Sequence, residues 1–317
     1  MSLYRDAIEL ITQADSIAVV GHVRPDADAI GSVCAMVAGL KQRGKHAVGM
    51  IGQNAEFAAN LLTIPGAEDI QLTTELGQVD LVITVDCGSL DRTGALATQI
   101  QEGSNAVLVI DHHSSNPGFG DVNLLDLKAE STTTIIGRLF DELEIQIGSK
   151  IAHALYAGLL TDTGSFRWGS SAMHSFAAKL MATGIDVREI AVDMLDSGSI
   201  ADLQMIGQAL SGVKVHHAGR HQVAVIIADN ALLQRGSLAA VEGLVDAVRS
   251  LDGTDIGAVL KESHPGLWHV SLRSDLMDVS QVAVALGGGG HIPAAGYSAS
   301  GTAEQVLAGL LGELQAR

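Results

Sequence analysis

The segment SIAVVGHVRPDADAIGS, residues 16–32, decides the fold. Its beginning, SIAVVGH (16–22), is an apolar run rich in β-branched residues, as is typical of a buried parallel strand. From Ala29 to Arg43 the apolar residues follow helical spacing, and Gly44 is a favourable helix terminator. A strand, a polar turn and a helix in this order form the first half of a βαβ unit.

The same alternation continues along the first half of the chain. Short apolar runs predict further strands at HAVGMIG (46–52), DLVITVD (80–86) and AVLVID (106–111). Helical patterns, each starting at or near a capping serine, cover about 131–143, 149–160 and 171–183. The sequence therefore predicts an α/β domain built on a mainly parallel sheet.

The pattern changes at about residue 197. SGSIADLQ (197–204) begins a helix, and two strand pairs follow, GVKVHH with HQVAVIIAD and DIGAVLKES with LWHVSLRSD. Further helices are expected at about 240–251, 278–286 and 302–316. A chain of 317 residues exceeds the usual size of a single core. We expect an N-terminal α/β domain at 1–196 and a smaller α+β domain at 197–317, with the active site in the cleft between them.

Composition narrows the classes of partner. The chain carries 19 Lys and Arg against 36 Asp and Glu, a net charge of −17, which is unfavourable for gripping long duplex nucleic acid. No apolar run is long enough to span a bilayer, and the first residues do not resemble a signal peptide. Cys34 and Cys87 lie inside apolar segments, as small core residues do. These features predict a cytoplasmic protein. If its substrate is a polyanion, bound cations must attract it, which favours a metal site.

Four separated segments supply the candidate chemical groups, at positions where predicted strands end or an apolar stretch stops. They contribute His22, Asp26 and Asp28; Asp86; Asp111, His112 and His113; and Asp162. Any one of these aspartates taken alone is better explained as a helix N-cap. Ligands at the carboxyl ends of parallel strands, however, meet at one sheet edge.

Mixed imidazole and carboxylate ligands suit Mn²⁺, Fe²⁺, Co²⁺ or Zn²⁺. A carboxylate bridges two ions about 3.5–4 Å apart in hydrolytic two-metal sites, and Asp86, at the end of a central strand, is the natural bridge. Asp111 is expected to hold a neighbouring histidine in its tautomer. The pattern predicts two divalent ions that polarise a phosphoryl group and activate water.

The second half of the chain carries GGGGHIPAAG (287–296) and SLRS (271–274). Successive glycines let backbone N–H groups approach a phosphate closely. The alternative is that the glycines form a flexible connector between a helix and a strand, and a run of glycines alone would favour that explanation. His291 directly after them, and Arg273 on a nearby predicted strand, favour an anion site, whereas Arg92 and Arg167 are weaker candidates.

Together these motifs resemble the DHH phosphoesterase superfamily, whose name describes the triplet at Asp111, His112 and His113. GGGGHIPAAG and SLRS resemble its DHH-associated C-terminal domain. Within the superfamily, the compact arrangement of two domains in one short chain is similar to the nanoRNase (NrnA-like) group. The resemblance implies one metal ion on His22, Asp26 and Asp86 and another on Asp28, Asp86, His112 and Asp162. It also implies catalytic roles for Asp86 and His113, and substrate binding by Arg273, Gly288, Gly289, Gly290 and His291. One departure is Ala27, where the family often has glycine.

The resemblance implies a hydrolase that uses Mn²⁺ and acts on short oligoribonucleotides or adenosine 3′,5′-bisphosphate (pAp). Cyclic dinucleotides or their linear products are further candidate substrates. The alternatives are an inorganic pyrophosphatase or exopolyphosphatase, and a non-catalytic nucleotide- or RNA-binding module. A homodimer is also compatible with the sequence.

Overall fold

The computed structural model describes residues 4–196, 198–249 and 251–317. The chain divides into two compact units, Met1–Ser197 and Gly198–Arg317. Each has its own hydrophobic core and its own sheet. No helix in the described ranges has the length and apolar character that crossing a bilayer requires.

The first unit alternates strands and helices along the chain. Its strands are β1 (Ser16–Gly21), β2 (His46–Ile51), β3 (Gln71–Leu72), β4 (Leu81–Val85), β5 (Ala106–Asp111) and β6 (Val122–Leu125). Its α-helices are α1 (Arg5–Gln13), α2 (Ala27–Gln42), α3 (Ala97–Glu102), α4 (Thr132–Glu142), α5 (Ser149–Asp162), α6 (Ser171–Met181) and α7 (Val187–Leu195). Helices α2, α4, α5 and α6 lie where the sequence predicts helices.

All six strands of this sheet run parallel, in the order β3-β2-β1-β4-β5-β6. The chain leaves β1 towards β2 on one side, and the later strands β4, β5 and β6 extend the sheet on the other side. The strand order therefore reverses between β1 and β4, and ligands of open α/β sheets bind at such a point, beyond the carboxyl ends of the strands.

Small residues let the helices approach closely on one side of the sheet. Gly31 of α2 faces α5 so tightly that a Cβ added there would lie 2.3 Å from the carbonyl oxygen of Ala154. A Cβ added at Gly158 of α5 would lie 2.5 Å from Oδ1 of Asp28. The plentiful glycine and alanine of the sequence thus allow α5 to pack directly behind the first residues of α2.

The second unit contains a mixed sheet. Its strands are β7 (Lys214–Ala218), β8 (His221–Ala228), β9 (Ile256–His264), β10 (Leu267–Arg273), β11 (Gly289–His291) and β12 (Ala294–Ser300). Its α-helices are α8 (Ile200–Ser211), α9 (Asn230–Leu233), α10 (Leu238–Gly243), α11 (Val279–Ala285) and α12 (Ala303–Gln315). The strand order is β11-β12-β10-β9-β8-β7, with only the β8–β9 pair parallel.

Alternate residues of β10 point to opposite faces of this sheet. Trp268, Val270 and Leu272 are buried in a core with β9, β12, α11 and α12. His269, Ser271 and Arg273 point the other way and are partly exposed. The buried residues fix the register of β10, and the register determines which face carries Arg273.

The structure confirms the mixed α/β class, the parallel first sheet and both predicted strand pairs of the second unit. Asp162, expected after an apolar stretch, is the last residue of α5. Two local predictions were wrong. The helix expected at about 240–251 is the short α10 followed by a 3-10 turn at Leu244–Ala247. Part of the glycine run forms β11, and β12 separates it from β10.

Candidate active site

The turn after β1 places the first three candidate ligands at the strand's carboxyl end. Asp26 is the N-cap of α2, and its Oδ1 accepts hydrogen bonds of 3.0 Å from the backbone N–H groups of Asp28 and Ala29. The helix-cap explanation and the ligand explanation therefore apply to the same carboxylate. Nε2 of His22 lies 3.7 Å from the capping oxygen of Asp26, and the Asp28 carboxylate is fully buried.

Asp86 lies directly after β4 and faces both groups of ligands. Its Oδ2 is 3.6 Å from Nε2 of His22, and its Oδ1 is 3.6 Å from Nε2 of His112. Its backbone has φ of 59°, which is uncommon for a residue other than glycine. Such strain persists where the surroundings over-determine a conformation, and functional sites are frequent examples.

Two groups of three side chains meet at this edge of the sheet. Ligand atoms of His22, Asp26 and Asp86 lie within 4.8 Å of one another, and so do those of Asp28, His112 and Asp162. In the second group, Nε2 of His112 lies 3.1 Å from Oδ2 of Asp162 and 3.9 Å from Oδ2 of Asp28. The structure thus brings together all six side chains that the sequence predicts as metal ligands.

The buried carboxylates in these groups carry perturbed pKa values. Burial and the negative charge of Asp162 raise the pKa of Asp28 to about 7. Burial and the charge of Asp28 raise the pKa of Asp86 well above its usual range. Burial alone would lower the pKa of His112, but the hydrogen bond and charge of Asp162 raise it well above the ordinary value. Divalent cations among these groups would reverse the penalty on the ionised carboxylates.

The backbone orients two of the imidazoles. Nδ1 of His22 lies 2.9 Å from the carbonyl oxygen of Val23, and Nδ1 of His112 lies 3.3 Å from that of Ala129. When Nδ1–H donates to a carbonyl, Nε2 carries the lone pair that a metal ion requires. Both rings turn this Nε2 towards Asp86.

Asp111 organises the triplet that gives the motif its pattern. Its Oδ1 accepts from the backbone N–H of His112 at 2.8 Å and lies 2.8 Å from Nδ1 of His113, and its Oδ2 accepts from Asn116 at 2.6 Å. Burial would raise the pKa of Asp111, but His113 and Asn116 hold it below the usual range. Asp111 therefore orients His113 through a side-chain contact, whereas the ring of the candidate ligand His112 contacts Ala129 instead.

Sequence reasoning did not identify two threonines that support the carboxylates. The backbone N–H groups of Thr132 and Thr133 donate to Asp28 at 2.7 and 3.0 Å, at the positive end of the α4 dipole. The hydroxyl of Thr132 donates to Oδ1 of Asp86 at 2.9 Å. The run STTT (131–134) is a signal for this site, because a helix needs only one capping hydroxyl, and that is Ser131.

The second unit places Arg273 and His291 in one row of its sheet. Ala294 of β12 pairs with Arg273 of β10 on one side and with His291 of β11 on the other. The two side chains therefore lie on the same face of the sheet, with the methyl group of Ala294 between them. The strands that carry them are roughly 10 Å apart. This arrangement brings the predicted arginine and histidine near each other within the unit.

The neighbouring glycines have local structural reasons of their own. Gly287, with φ of 82°, follows the end of α11. A Cβ at Gly288 would lie 2.1 Å from the carbonyl oxygen of Gly296, and one at Gly290 would lie 2.6 Å from that of Ala294. Close packing of β11 on β12 thus requires glycine at Gly288 and Gly290 independently of any ligand, and Gly289 lies between them in β11.

The donor set of the first unit fits divalent cations. Two imidazoles and four carboxylates offer nitrogen and oxygen atoms of the kind that Mn²⁺, Fe²⁺ or Zn²⁺ binds. The clustered acidic and histidine groups could therefore hold metal.

Comparison with known proteins agrees with this geometry. Residues 16–159 match the family model described as "DHH family, N-terminal domain". The first unit contains a DHH-family domain. The strands β1, β4 and β5 and the turns that follow them fall inside the match, while Asp162 lies three residues beyond it.

Two relatives extend the likeness over both units. The bifunctional oligoribonuclease and PAP phosphatase NrnA of Thermus thermophilus is 29% identical over 289 residues, which cover 90% of this chain and 84% of that protein. The cyclic-di-AMP phosphodiesterase PdeA of Listeria monocytogenes is 27% identical over 90% of this chain and 45% of its own length. Over about 90% of its length the chain is thus similar to proteins that are named as hydrolases of phosphate esters.

Solved structures share the fold. An exopolyphosphatase-related protein from Bacteroides fragilis superposes with a TM-score of 0.85 at 23% identity, covering 99% of this chain and 96% of that one. RecJ from Thermus thermophilus, solved in complex with Mn²⁺, gives 0.55 at 16% identity over 100% of this chain and 54% of its own. At these identities the likeness establishes the architecture alone.

Proposed function

We propose that this DHH-family chain is a two-metal phosphoesterase that hydrolyses short oligoribonucleotides and pAp. Cyclic dinucleotides or their linear products belong to the same chemical class of substrate. The observation that carries the proposal is the position of Asp86, which presents one carboxylate oxygen to His22 and the other to His112, each at 3.6 Å. A bridging carboxylate between two ligand groups is the feature that a two-metal hydrolytic site requires.

The six clustered side chains divide between the two ions. His22, Asp26 and Asp86 would hold one ion, and Asp28, Asp86, His112 and Asp162 the other. Bound Mn²⁺ would supply Lewis acidity towards the phosphoryl oxygens and lower the pKa of water. The protein's own part is to fix the ligands: α4 holds Asp28 through two backbone N–H groups, and Thr132 holds Asp86.

His113 is the proposed catalytic histidine. Its side chain is 23% exposed, whereas that of His112 is 6% exposed, so a substrate can reach His113 more easily. Asp111 contacts Nδ1 of His113 and thereby orients the ring. A ring held in this position can interact with a phosphoryl oxygen as negative charge develops there.

The second unit would contribute a separate phosphate-binding group. Arg273 and His291 share a row of the sheet, and the backbone of Gly288, Gly289 and Gly290 lies beside them. A guanidinium and an imidazole on strands about 10 Å apart suit a small ligand with more than one phosphate. We infer a catalytic domain at 1–196, a substrate-binding domain at 197–317 and, because both cysteines are buried free thiols, a reducing location such as the cytoplasm.

A side-by-side product assay with Mn²⁺ tests this proposal. The substrates are pAp, a 5′-phosphorylated dinucleotide, a five-nucleotide RNA, cyclic di-AMP, pyrophosphate and polyphosphate. Release of AMP from the dinucleotide and of phosphate from pAp would support it. Turnover confined to pyrophosphate or polyphosphate would contradict it and favour the alternative hydrolases.

A further inference from the structure

One arginine lies beside the candidate metal cluster and has no part in the roles assigned so far. Arg92 belongs to a 3-10 segment, Leu90–Leu96, that follows β4. Its carbonyl oxygen accepts from the backbone N–H of Val23 at 2.8 Å, which ties this segment to the turn that follows β1. The backbone thus fixes the start of the Arg92 side chain next to His22.

The guanidinium of Arg92 reaches the outer side of the His22 ring. Its Nη2 lies 2.9 Å from Nδ1 of His22. Within residues 4–196, 198–249 and 251–317, Arg92 forms no ion pair with a carboxylate, although the neighbouring ligand groups are rich in them. A guanidinium has five N–H donors, so most of them remain available.

Two hydrogen bonds compete for the same nitrogen of His22. Nδ1 lies 2.9 Å from Nη2 of Arg92 and also 2.9 Å from the carbonyl oxygen of Val23. It can accept from Arg92 only without a hydrogen, and it can donate to Val23 only with one. If Nε2 is to bind a cation beside Asp26 and Asp86, the hydrogen must be on Nδ1 and is directed to Val23. The Arg92 guanidinium then needs another acceptor.

We propose that Arg92 binds a phosphoryl oxygen of the substrate at the edge of the site formed by His22, Asp26 and Asp86. The proposal rests on the proposed phosphoesterase function. A phosphoryl group is the anionic acceptor that such a site receives, and its oxygens match the planar donor pattern of a guanidinium. The rival role is positional, in which Arg92 only steadies the His22 ring.

The test compares Arg92→Ala and Arg92→Lys with Arg43→Ala. Arg43 is an exposed arginine at the C-cap of α2, at the opposite end of this helix from its N-cap Asp26. Three quantities are measured with saturating Mn²⁺: kcat/KM on a 5′-phosphorylated dinucleotide, the inhibition constant of inorganic phosphate, and the Mn²⁺ content of the folded protein. Circular dichroism verifies that each variant folds.

We expect Arg92→Ala to lower kcat/KM by about 10- to 150-fold, as the loss of a hydrogen bond to a charged group does. The inhibition constant of phosphate should rise by a similar factor at unchanged Mn²⁺ content. Arg92→Lys should retain part of the phosphate affinity, and Arg43→Ala should behave as wild type. If Arg92→Ala does not fold, the comparison rests on Arg92→Lys alone.

Lowered Mn²⁺ content with an unchanged phosphate constant would overturn the proposal in favour of the positional role. Wild-type behaviour of Arg92→Ala in all three measurements would also overturn it. Failure of the wild-type protein to hydrolyse any phosphate ester would refute the proposed function instead. Calorimetric titration of the Mn²⁺-loaded proteins with inorganic phosphate would then still test Arg92 itself.

Discussion

At the scale of single residues, the site depends on groups that hold the ligands as much as on the ligands. Three features fix the conformation of Asp86. Its φ is 59°, its backbone N–H donates to the carbonyl oxygen of Ile110, and its Oδ1 accepts from the hydroxyl of Thr132. Such contacts keep a carboxylate oriented when its charge is offset by metal. They are the part of the site that local sequence patterns reveal least.

Thr132 provides a direct test of that support. Thr132→Val keeps the β-branched shape but removes the hydroxyl that donates to Asp86 at 2.9 Å. Loss of a hydrogen bond to a ligand typically weakens metal affinity by about 10- to 100-fold, and we expect this in a Mn²⁺ titration followed by calorimetry. Thr12→Val, which removes an exposed hydroxyl bonded to Ile8, is the control. Equal Mn²⁺ affinity in Thr132→Val and wild type would contradict the role.

The two thiols give a second residue-scale prediction. Burial and the nearby charges of Glu68 and Asp69 raise the pKa of Cys34 to about 12, and burial raises that of Cys87 well above its usual value. Because the thiolate is the reactive form, only about one Cys34 in ten thousand is reactive at pH 8. We expect no rapid reaction of native protein with a thiol reagent at pH 8, and two thiols after unfolding. Rapid native modification of Cys34 would contradict its buried placement.

At the scale of elements, helix packing behind the ligands requires small residues. Gly31 of α2 approaches the backbone of α5 too closely for a side chain. Gly31→Ala should therefore lower the free energy of unfolding by about 1–3 kcal/mol, the usual cost of overpacking. The helix ends carrying Asp28 and Asp162 should also shift, which lowers activity.

Gly309→Ala is the matched control for Gly31→Ala, because Gly309 lies inside α12 with open space around it. It should stabilise the protein by about 0.5–1 kcal/mol, since alanine favours helix. Chemical denaturation of both variants provides the comparison. Equal stability changes at the two positions would show that close packing at Gly31 is not the constraint.

Sequence reasoning predicted the elements whose apolar patterns are unambiguous. The buried strands β1, β4 and β5 are continuous apolar runs, and their ends locate His22, Asp86 and Asp111. The strands β11 and β12 were not predicted, because Gly289–His291 and Ala294–Ser300 consist mostly of small residues without alternation. Thr132 was interpreted only as part of a helix start, since its contact with Asp86 depends on where the fold places the start of α4 relative to the end of β4.

At the scale of the whole molecule, charge limits the length of substrate. Net charge of −17 and an aromatic content of 3% leave little for a long basic track or a base-stacking platform. We expect kcat/KM to be highest for substrates of about two to five nucleotides, with shallow salt dependence, because each phosphate contact adds to the salt slope. A length series of 5′-labelled RNA at two salt concentrations measures this. Processive digestion of a strand of about 24 nucleotides, faster than that of the short substrates, would contradict a site that contacts only a few nucleotides.

The central proposal is that six side chains at the carboxyl edge of the first sheet bind divalent cations needed for phosphate-ester hydrolysis, and their clustering supports it. Asp86→Ala removes the residue shared by the two proposed ion sites and should lose essentially all activity while remaining folded, because it also relieves the crowding of buried carboxylates.

The most direct measurement is the rate of AMP release from a 5′-phosphorylated diadenylate by protein stripped of divalent cations, before and after addition of Mn²⁺. The predicted result is no release from the stripped protein and full recovery with Mn²⁺ for the wild type, with no recovery for Asp86→Ala. Undiminished release by the stripped wild-type protein would contradict the metal-dependent account.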